Sequence, residues 1–292
     1  SSRSLLGECV RLVAIEDFPE RWVDIEGRLS TTLNTTAKEN PQVLSNVIFV
    51  IYVVCKRYEF FLKPFHKATD VPAELESLAT SVLPTLVNEI FVPEATSSRQ
   101  RGSCVQDDML RMIAKIFFRM TRSYLPKDAE KLVPSILSSS LNVLQELLNT
   151  AANQADTADE EELNTKWRLH KRLLKQMESF QKNKRKLLEP QMAELFTLCR
   201  KAAQVPRAIL ADRIYAICLD ILAESTAVDA HFKLIKAEYA DIVENSVFPH
   251  LELSLADKER WSEDEDEYVR SNLALESMDM ENDVVESFTA RK

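Results

Sequence analysis

Residues 109–124, MLRMIAKIFFRMTRSY, carry apolar side chains at steps of three or four, namely Met109, Ile113, Ile116, Met120 and Tyr124. This spacing matches the 3.6-residue turn of an α-helix and places the apolar side chains in one stripe. Such a stripe must be covered by a neighbouring element. The same stepping recurs at Leu137, Leu141, Leu144 and Leu148, at Leu210, Ile214, Ile217 and Ile221, and at Phe232, Ile235, Tyr239 and Ile242. The pattern therefore predicts an all-α protein.

One segment is also compatible with a buried strand. Residues 47–55, VIFVIYVVC, are rich in β-branched side chains, which favour strands. No other segment offers a partner strand, and the apolar stretch extends from Val43 to Tyr58, which is long for a strand. We therefore predict a helix here.

Glycine is scarce, with only 3 in 292 residues. Tight hairpins and phosphate-binding loops need Gly because it reaches positive φ and lets the backbone approach a ligand. The scarcity argues against sheets and nucleotide-binding folds. With 45% hydrophobic residues, the chain can bury a large core.

The periodic segments combine into antiparallel pairs. The pairs cover 22–58, 73–125, 131–180, 190–223 and 231–277, with partial repeats at 1–16 and 281–292. The starts of successive pairs lie 51, 58, 59 and 41 residues apart, which is somewhat long for HEAT repeats of ≈ 40–47 residues, but each pair buries its stripe only against its neighbours. We therefore predict an α-solenoid of HEAT-type (armadillo-type) helix pairs, a right-handed superhelical stack that forms a single domain over 1–292. Pro84 should kink the helix that contains it.

Motifs for chemistry are missing. The chain has no Walker-type or GxSxG motif, and its four His residues are widely separated. Asp264 and Asp266 begin like a calcium loop, but Val269 stands where that loop needs Gly. We expect no catalytic site, no cofactor and no metal. An enzyme with a site assembled from distant residues remains an alternative.

Cysteine usage and hydropathy bear on the compartment. The five Cys residues form no CxxC pair, which favours a reduced, intracellular protein. No apolar run approaches the ~20 residues of a membrane helix. We expect no membrane partner, and both ends of the chain look cut from a longer protein. A fragment of a stack should expose apolar faces at its ends and associate readily.

Net charge points to the type of partner. The formal net charge is −9, which repels nucleic acid at long range and suits basic protein partners. Solubility alone would also explain such acidity. We expect no direct contact with nucleic acid.

Two charged stretches are candidate interaction sites. Residues 166–186 hold nine bases against one acid, and residues 252–267 hold eight acids against two bases. The candidate basic docking face comprises Lys182, Lys184, Arg185 and Lys186, whose partner would be an acidic protein or the chain's own acidic residues 156–162. The candidate acidic stretch comprises Asp264, Glu265, Asp266 and Glu267. The alternatives are a solvated helix face for the first and a helix cap for the second.

Four motifs occur in the order known from one family. They are Asp17-Phe18-Pro19-Glu20-Arg21-Trp22, then Lys56-Arg57-Tyr58-Glu59-Phe60, then Trp167 within Asn164-Thr165-Lys166-Trp167, and finally Val247-Phe248-Pro249 followed by Trp261 and residues 263–270, EDEDEYVR. Together they resemble the importin-β (karyopherin) receptors. The last motif is most similar to the importin-seven and importin-eight branch and, in weaker form, to the exporter of importin-α. Asn164, Val23 and Glu265 depart from the family pattern, the last two where Pro is usual. Trp22 and Trp261 are most simply core aromatics.

The resemblance implies a function. Such receptors carry protein cargo through nuclear pores, contact Phe-Gly nucleoporins, respond to Ran-GTP and shuttle between cytoplasm and nucleus. Several carry acidic loops that meet basic parts of Ran or of cargo, which would be the role of residues 264–267. The chain would be a fragment of the N-terminal half of a receptor without its first repeats. The alternative is a helical-repeat scaffold of a static complex without linkage to Ran.

Overall fold

The computed structural model describes residues 2–36, 40–56, 73–97, 104–122, 125–154, 160–205, 212–248 and 255–270. Within these ranges every regular element is helical and none is a strand. Contacts divide the chain into two compact units. The first comprises Ser1–Thr150 with Asp156–Glu189, and the second comprises Ala151–Ala155 with Pro190–Lys292. The all-α fold is confirmed, and a single continuous stack across both units stays a prediction.

The first unit contains nine α-helices within the described residues, and residues 151–154 at the end of one of them belong to the second unit. The nine helices are α1 (Ser2–Asp17), α2 (Ile25–Thr36), α3 (Pro41–Cys55), α4 (Ala73–Pro84), α5 (Val92–Thr96), α6 (Cys104–Arg122), α7 (Lys127–Gln154), α8 (Glu160–Asn183) and α9 (Arg185–Leu188).

The helices of the first unit pack in layers. Helix α3 lies between α1 and α6, and α6 in turn packs on α8, so that these four form one layer. In the other layer α2 packs on α4, and it also contacts its sequence neighbour α3. The apolar stripes face these contacts, since Ile48, Ile113 and Leu173 are all fully buried. Helix pairs that are covered only by adjacent pairs are the arrangement that the periodicity predicts.

Helix α3 settles the ambiguous segment. Its N-terminus is capped by Asn40, whose Oδ1 accepts hydrogen bonds from the backbone N–H groups of Gln42 (3.0 Å) and Val43 (3.3 Å). Pro41 occupies the first turn, where a missing N–H costs nothing. Residues 47–55 are therefore helical, as predicted.

The segment from Ala73 to Thr96 stays helical through Pro84. After Pro84 it widens into π-type turns over Thr85–Phe91 before α5 begins. This is the position where the sequence predicts a kink, because Pro cannot donate to the preceding turn. By length and composition the segment could cross a membrane, but the core helix of a soluble protein passes the same test. Here 56% of its most apolar window is buried within the fold.

The second unit is built from shorter elements. They are a 3₁₀ turn (Glu189–Gln191) that leads in from the first unit, α10 (Met192–Ala203), α11 (Asp212–Ser225), α12 (Asp229–Ile235), a second 3₁₀ turn (Lys236–Glu238), α13 (Tyr239–Ile242), a π turn (Val243–Val247) and α14 (Leu255–Glu263), followed by helical residues 265–270. Helices α10 and α11 pack on each other, and α12 packs on both. The sequence pattern of the pair 231–277 predicts one helix over 231–248 and a second over 265–277. The structure breaks the first into four pieces, and α14 lies between the two, where no helix is predicted. The predicted helix 281–292 lies outside the described residues.

Candidate functional site

The candidate acidic stretch begins at a helix N-terminus. Oδ1 of Asp264 accepts a hydrogen bond from the backbone N–H of Glu267 (2.8 Å), and its carbonyl accepts one from the N–H of Tyr268 (3.0 Å). Asp264 is therefore the N-cap of the helical residues 265–270, which is the structural role expected of an acid at this position. Asp264, Glu265, Asp266 and Glu267 are all exposed. The cap hydrogen bond uses the carboxylate of Asp264 and not those of the other three acids. The docking role of the four acids stays a prediction.

An aromatic pair lies beside these acids. The rings of Trp261 and Tyr268 meet edge to face with centroids 5.5 Å apart. Trp261 is nevertheless 40% exposed, so it is not the buried core residue that its size suggests. Glu267 forms an ion pair with Arg270 (3.3 Å). This end of the second unit thus presents solvated carboxylates next to an exposed indole.

The candidate basic docking face is divided by its local contacts. Nζ of Lys182 forms an ion pair with Glu178 (2.6 Å), one turn earlier on α8. Nζ of Lys184 donates instead to the backbone carbonyl of Arg122 (3.1 Å), at the end of α6. Arg185 is half-buried and Lys186 is exposed. Lys184 therefore holds two helices together, and Lys182 and Lys186 are the exposed members of this face.

The structure brings together a second group of cations that the sequence analysis missed. The ring of Tyr52 on α3 is approached by Lys56 (5.6 Å), Lys115 (5.4 Å) and Arg119 (4.5 Å), measured to the ring centroid. On α8, the guanidinium of Arg172 lies 3.9 Å from the centroid of Phe118. The group joins three helices of one layer, and we call it the α3–α6–α8 cationic surface, defined by Tyr52, Lys56, Lys115, Arg119 and Arg172.

The charges of this surface act on one another. Burial lowers the pKa of Lys115, the phenol oxygen of Tyr52 acts in the opposite direction and raises it, and the positive charges of Arg111, Arg172 and Arg119 lower it further. Burial raises the pKa of Tyr52, but the charges of Arg119, Lys115 and Lys56 outweigh burial, and the pKa is lowered overall. The surface is therefore electropositive even at the phenol.

A sequence signal for this surface exists. Arg111, Lys115 and Arg119 follow one another at four-residue steps and so share one face of α6. These three basic residues alternate along the chain with the apolar residues of 109–124. Because the apolar stripe alone was used to interpret this segment, only a core-facing helix was predicted. Their convergence with Lys56 and Arg172 depends on tertiary packing and is not visible in the sequence.

Residues of the family motifs have distinct surroundings. Phe18 is buried, whereas Trp22 is only half-buried, so Phe18 is the core anchor of that step. Trp167 lies on α8 with its ring 5.9 Å from that of the fully buried His170. Within the part of the chain that the structure describes, no group of three or more His, Cys, Asp or Glu side chains is arranged to hold a metal ion.

Comparison with known proteins places the chain in a family. A family model described as Cse1 matches residues 54–283. The chain is 23% identical over 287 residues to an importin beta-like SAD2 homolog of Arabidopsis thaliana, covering 92% of this chain and 26% of that protein. It is 20% identical over 278 residues to exportin-2 of Xenopus laevis and over 281 residues to exportin-2 of Homo sapiens, in both cases covering 94% of this chain and 28% of the relative.

A solved structure shows the same fold. The exportin Cse1 in its cargo-free, cytoplasmic state superposes with a TM-score of 0.72 at 16% identity, over 91% of this chain and 28% of that one. The chain therefore spans little more than a quarter of the proteins that it matches. Importin-like and exportin relatives both match, so the importin-seven and importin-eight branch stays a prediction. Since the family model covers most of its length, the chain belongs to the Cse1 family, within the importin-β and exportin group of nuclear transport receptors.

Proposed function

We propose that this chain is a segment of a receptor that carries protein cargo through nuclear pores under the control of Ran-GTP. Membership of the Cse1 family, matched over residues 54–283, carries the proposal. Its partners are Ran-GTP, a protein cargo and Phe-Gly nucleoporins, and it shuttles between cytoplasm and nucleus. It acts by binding and is not an enzyme.

The helix layers suit this task. Each pair is stabilised mainly by its neighbours, so a stack of pairs offers a long surface on which several partners bind at once. The exposed carboxylates at 264–267 would meet basic parts of Ran or of cargo, and charge complementarity of this kind speeds association. The net charge of −9 favours the same type of partner.

The test is a pull-down with the full-length receptor and Ran locked in its GTP or its GDP state. The expected result is retention of the GTP-locked form and little of the GDP-locked form. Equal retention of both, or of neither, would contradict the proposal and favour a static scaffold without linkage to Ran. Adding cargo to the same assay gives the direction of transport, because release of cargo by Ran-GTP indicates import.

A further inference from the structure

We propose that the α3–α6–α8 cationic surface binds a carboxylate-rich peptide segment of a partner protein. This surface shares no residue with the acidic stretch or with the basic docking face, and it implies a partner of the opposite charge to the basic cargo proposed above. The inference does not rest on the transport function, because it follows from how charges converge on one layer of helices.

Three cations share one aromatic ring. Lys56, Lys115 and Arg119 all lie within about 6 Å of the Tyr52 centroid, the range of cation–π attraction. Attraction to the ring offsets only part of their mutual repulsion, which falls off with the inverse of distance. A carboxylate placed among them relieves that repulsion and gains charge-assisted hydrogen bonds.

The surroundings strengthen such contacts. Tyr52, Lys56, Lys115, Arg119 and Arg172 are each half-buried, so they remain accessible but are screened less than fully solvated charges. Burial and the neighbouring arginines lower the pKa of Lys115, as expected where positive charge is concentrated. An arriving anion would raise that pKa again.

Two carboxylates near this surface, among the described residues, are engaged by arginines. Asp108 accepts a hydrogen bond from Nε of Arg111 (3.0 Å), and Glu8 on α1 accepts one from Nε of Arg11 (2.9 Å). Glu8 also feels the charge of Lys56. Each of these two carboxylates is paired with an arginine, so each pair is neutral overall. The two pairs therefore do not cancel the positive charge at Lys115.

A peptide fits this surface better than a nucleic acid. Single-stranded nucleic acids bind by stacking bases on open aromatic faces, but cations cover the Tyr52 ring, and Arg172 and Arg122 cover that of Phe118. A long polyanion would also be repelled by the net charge of −9. A short acidic segment carries less charge and meets only the local positive patch.

The experiment measures binding of a fluorescein-labelled peptide of alternating Glu and Gly to the full chain by fluorescence anisotropy. We expect saturable binding at about 0.05 M salt that is largely lost at ~0.5 M, where the Debye length is only a few ångströms. Lys115→Met keeps the aliphatic stem and removes the charge, and it should weaken binding by about five- to tenfold. Lys115→Arg keeps the charge and should bind within about twofold of the native chain.

The controls separate this surface from general attraction. Removal of two exposed lysines of the second unit, Lys201→Gln with Lys233→Gln, should leave binding unchanged. If Lys115→Met lowers the unfolding midpoint, Lys56→Gln gives the same test from another helix. Equal weakening by the control pair would overturn the proposal, as would full binding by both Lys115→Met and Lys56→Gln. Tighter binding of a single-stranded RNA oligomer in competition with the peptide would also overturn it.

Discussion

Nζ of Lys184 donates a hydrogen bond to the backbone carbonyl of Arg122, 3.1 Å away and 62 residues earlier in the chain. Arg122 is the last residue of α6, where carbonyl groups lack partners within the helix and the helix dipole favours a positive charge. Lys184 thus ties the start of α9 to the end of α6. A residue in a stretch that resembles a docking site has a structural role.

Replacing this lysine should weaken the first unit. Lys184→Met removes the hydrogen bond and the charge. It also removes the cost of burying that charge, which is the reason that the pKa of this lysine is lowered. We expect a net loss of about 0.5–1 kcal/mol in the free energy of unfolding, measured from the urea midpoint. Lys186→Met is the matched control, since Lys186 is exposed, and it should change stability by less than about 0.5 kcal/mol. Equal loss in both variants would contradict a capping role for Lys184.

This result also affects how the basic docking face is tested. Reversing the charge of Lys184 would disturb α6 and α9, so weaker partner binding would have two explanations. Lys182 and Lys186 are better positions, because both are exposed and the ion pair of Lys182 with Glu178 lies within a single helix. If an acidic partner still binds equally well after the charges of Lys182 and Lys186 are both reversed, then these residues are a solvated helix face and not a docking site.

The accuracy with which the sequence predicted a helix depended on the type of helix. Long helices with one apolar stripe, such as α6, were predicted to within a few residues, because their periodicity directly reflects burial. Helix α14 was missed because its charged residues dominate and its apolar residues form no stripe. The break within 231–248 was missed because 3₁₀ and π turns keep nearly the same spacing of apolar residues.

The charged surfaces were predictable only in part. Asp264 is recognisable as a possible cap because acids favour helix N-termini. The cationic surface was not predicted, since Lys56, Lys115 and Arg172 are far apart in sequence and meet only when α3, α6 and α8 pack side by side. Local patterns reveal helix faces, whereas a surface that several helices share requires the fold.

Buried His170 should make stability depend on pH. It is fully buried on α8, neither ring nitrogen has a hydrogen-bond partner among the described residues, and burial lowers its pKa to about 3. When the pH falls below about 6.5, the ordinary pKa of histidine, this side chain becomes protonated in the unfolded chain but stays neutral in the folded chain. Stability should therefore decrease from about pH 6.5 towards pH 3, by about 2 kcal/mol between pH 7.5 and pH 5 from this group alone.

A variant isolates this contribution. His170→Leu should remove about 2 kcal/mol of the pH dependence between pH 7.5 and pH 5. At pH 7.5 its free energy of unfolding should be similar to or above that of the native chain, because two buried nitrogens without partners are removed. Urea midpoints at both pH values give the difference. An unchanged pH dependence would show that His170 is protonated or solvated in the folded chain.

The two described glycines provide a matched pair. A Cβ at Gly7 on α1 would lie 2.6 Å from Cζ of Phe49 on α3, whereas one at Gly27 on α2 would have no neighbour within 4 Å. Alanine is favoured over glycine within a helix by about 0.5–1 kcal/mol. Gly27→Ala should therefore stabilise the chain by about that amount, while Gly7→Ala should gain less or lose stability because the Phe49 ring must move. A gain at Gly7 equal to that at Gly27 would contradict the close packing of α1 on α3.

The acidic stretch requires a variant that separates its helix cap from its charge. The hydroxyl of Ser also accepts the N-cap hydrogen bond, so Asp264→Ser should preserve the helix over 265–270. Combining it with Glu265→Gln, Asp266→Asn and Glu267→Gln removes four exposed negative charges at nearly constant shape. Asp264→Ala alone is the converse control, because it removes the cap and leaves three of the four carboxylates.

Solvated charges act mainly on the rate of encounter. In the full-length receptor the fourfold variant should associate with Ran-GTP or basic cargo several-fold more slowly at low salt, and the difference should fade above ~0.5 M salt as the Debye length shrinks to a few ångströms. Asp264→Ala should instead cost about 1 kcal/mol of local helix stability and change the association rate little. Stopped-flow association over a salt series and circular dichroism distinguish the two effects. If the fourfold variant associates at the native rate at low salt with its helix content intact, then the four acids serve this helix and no partner.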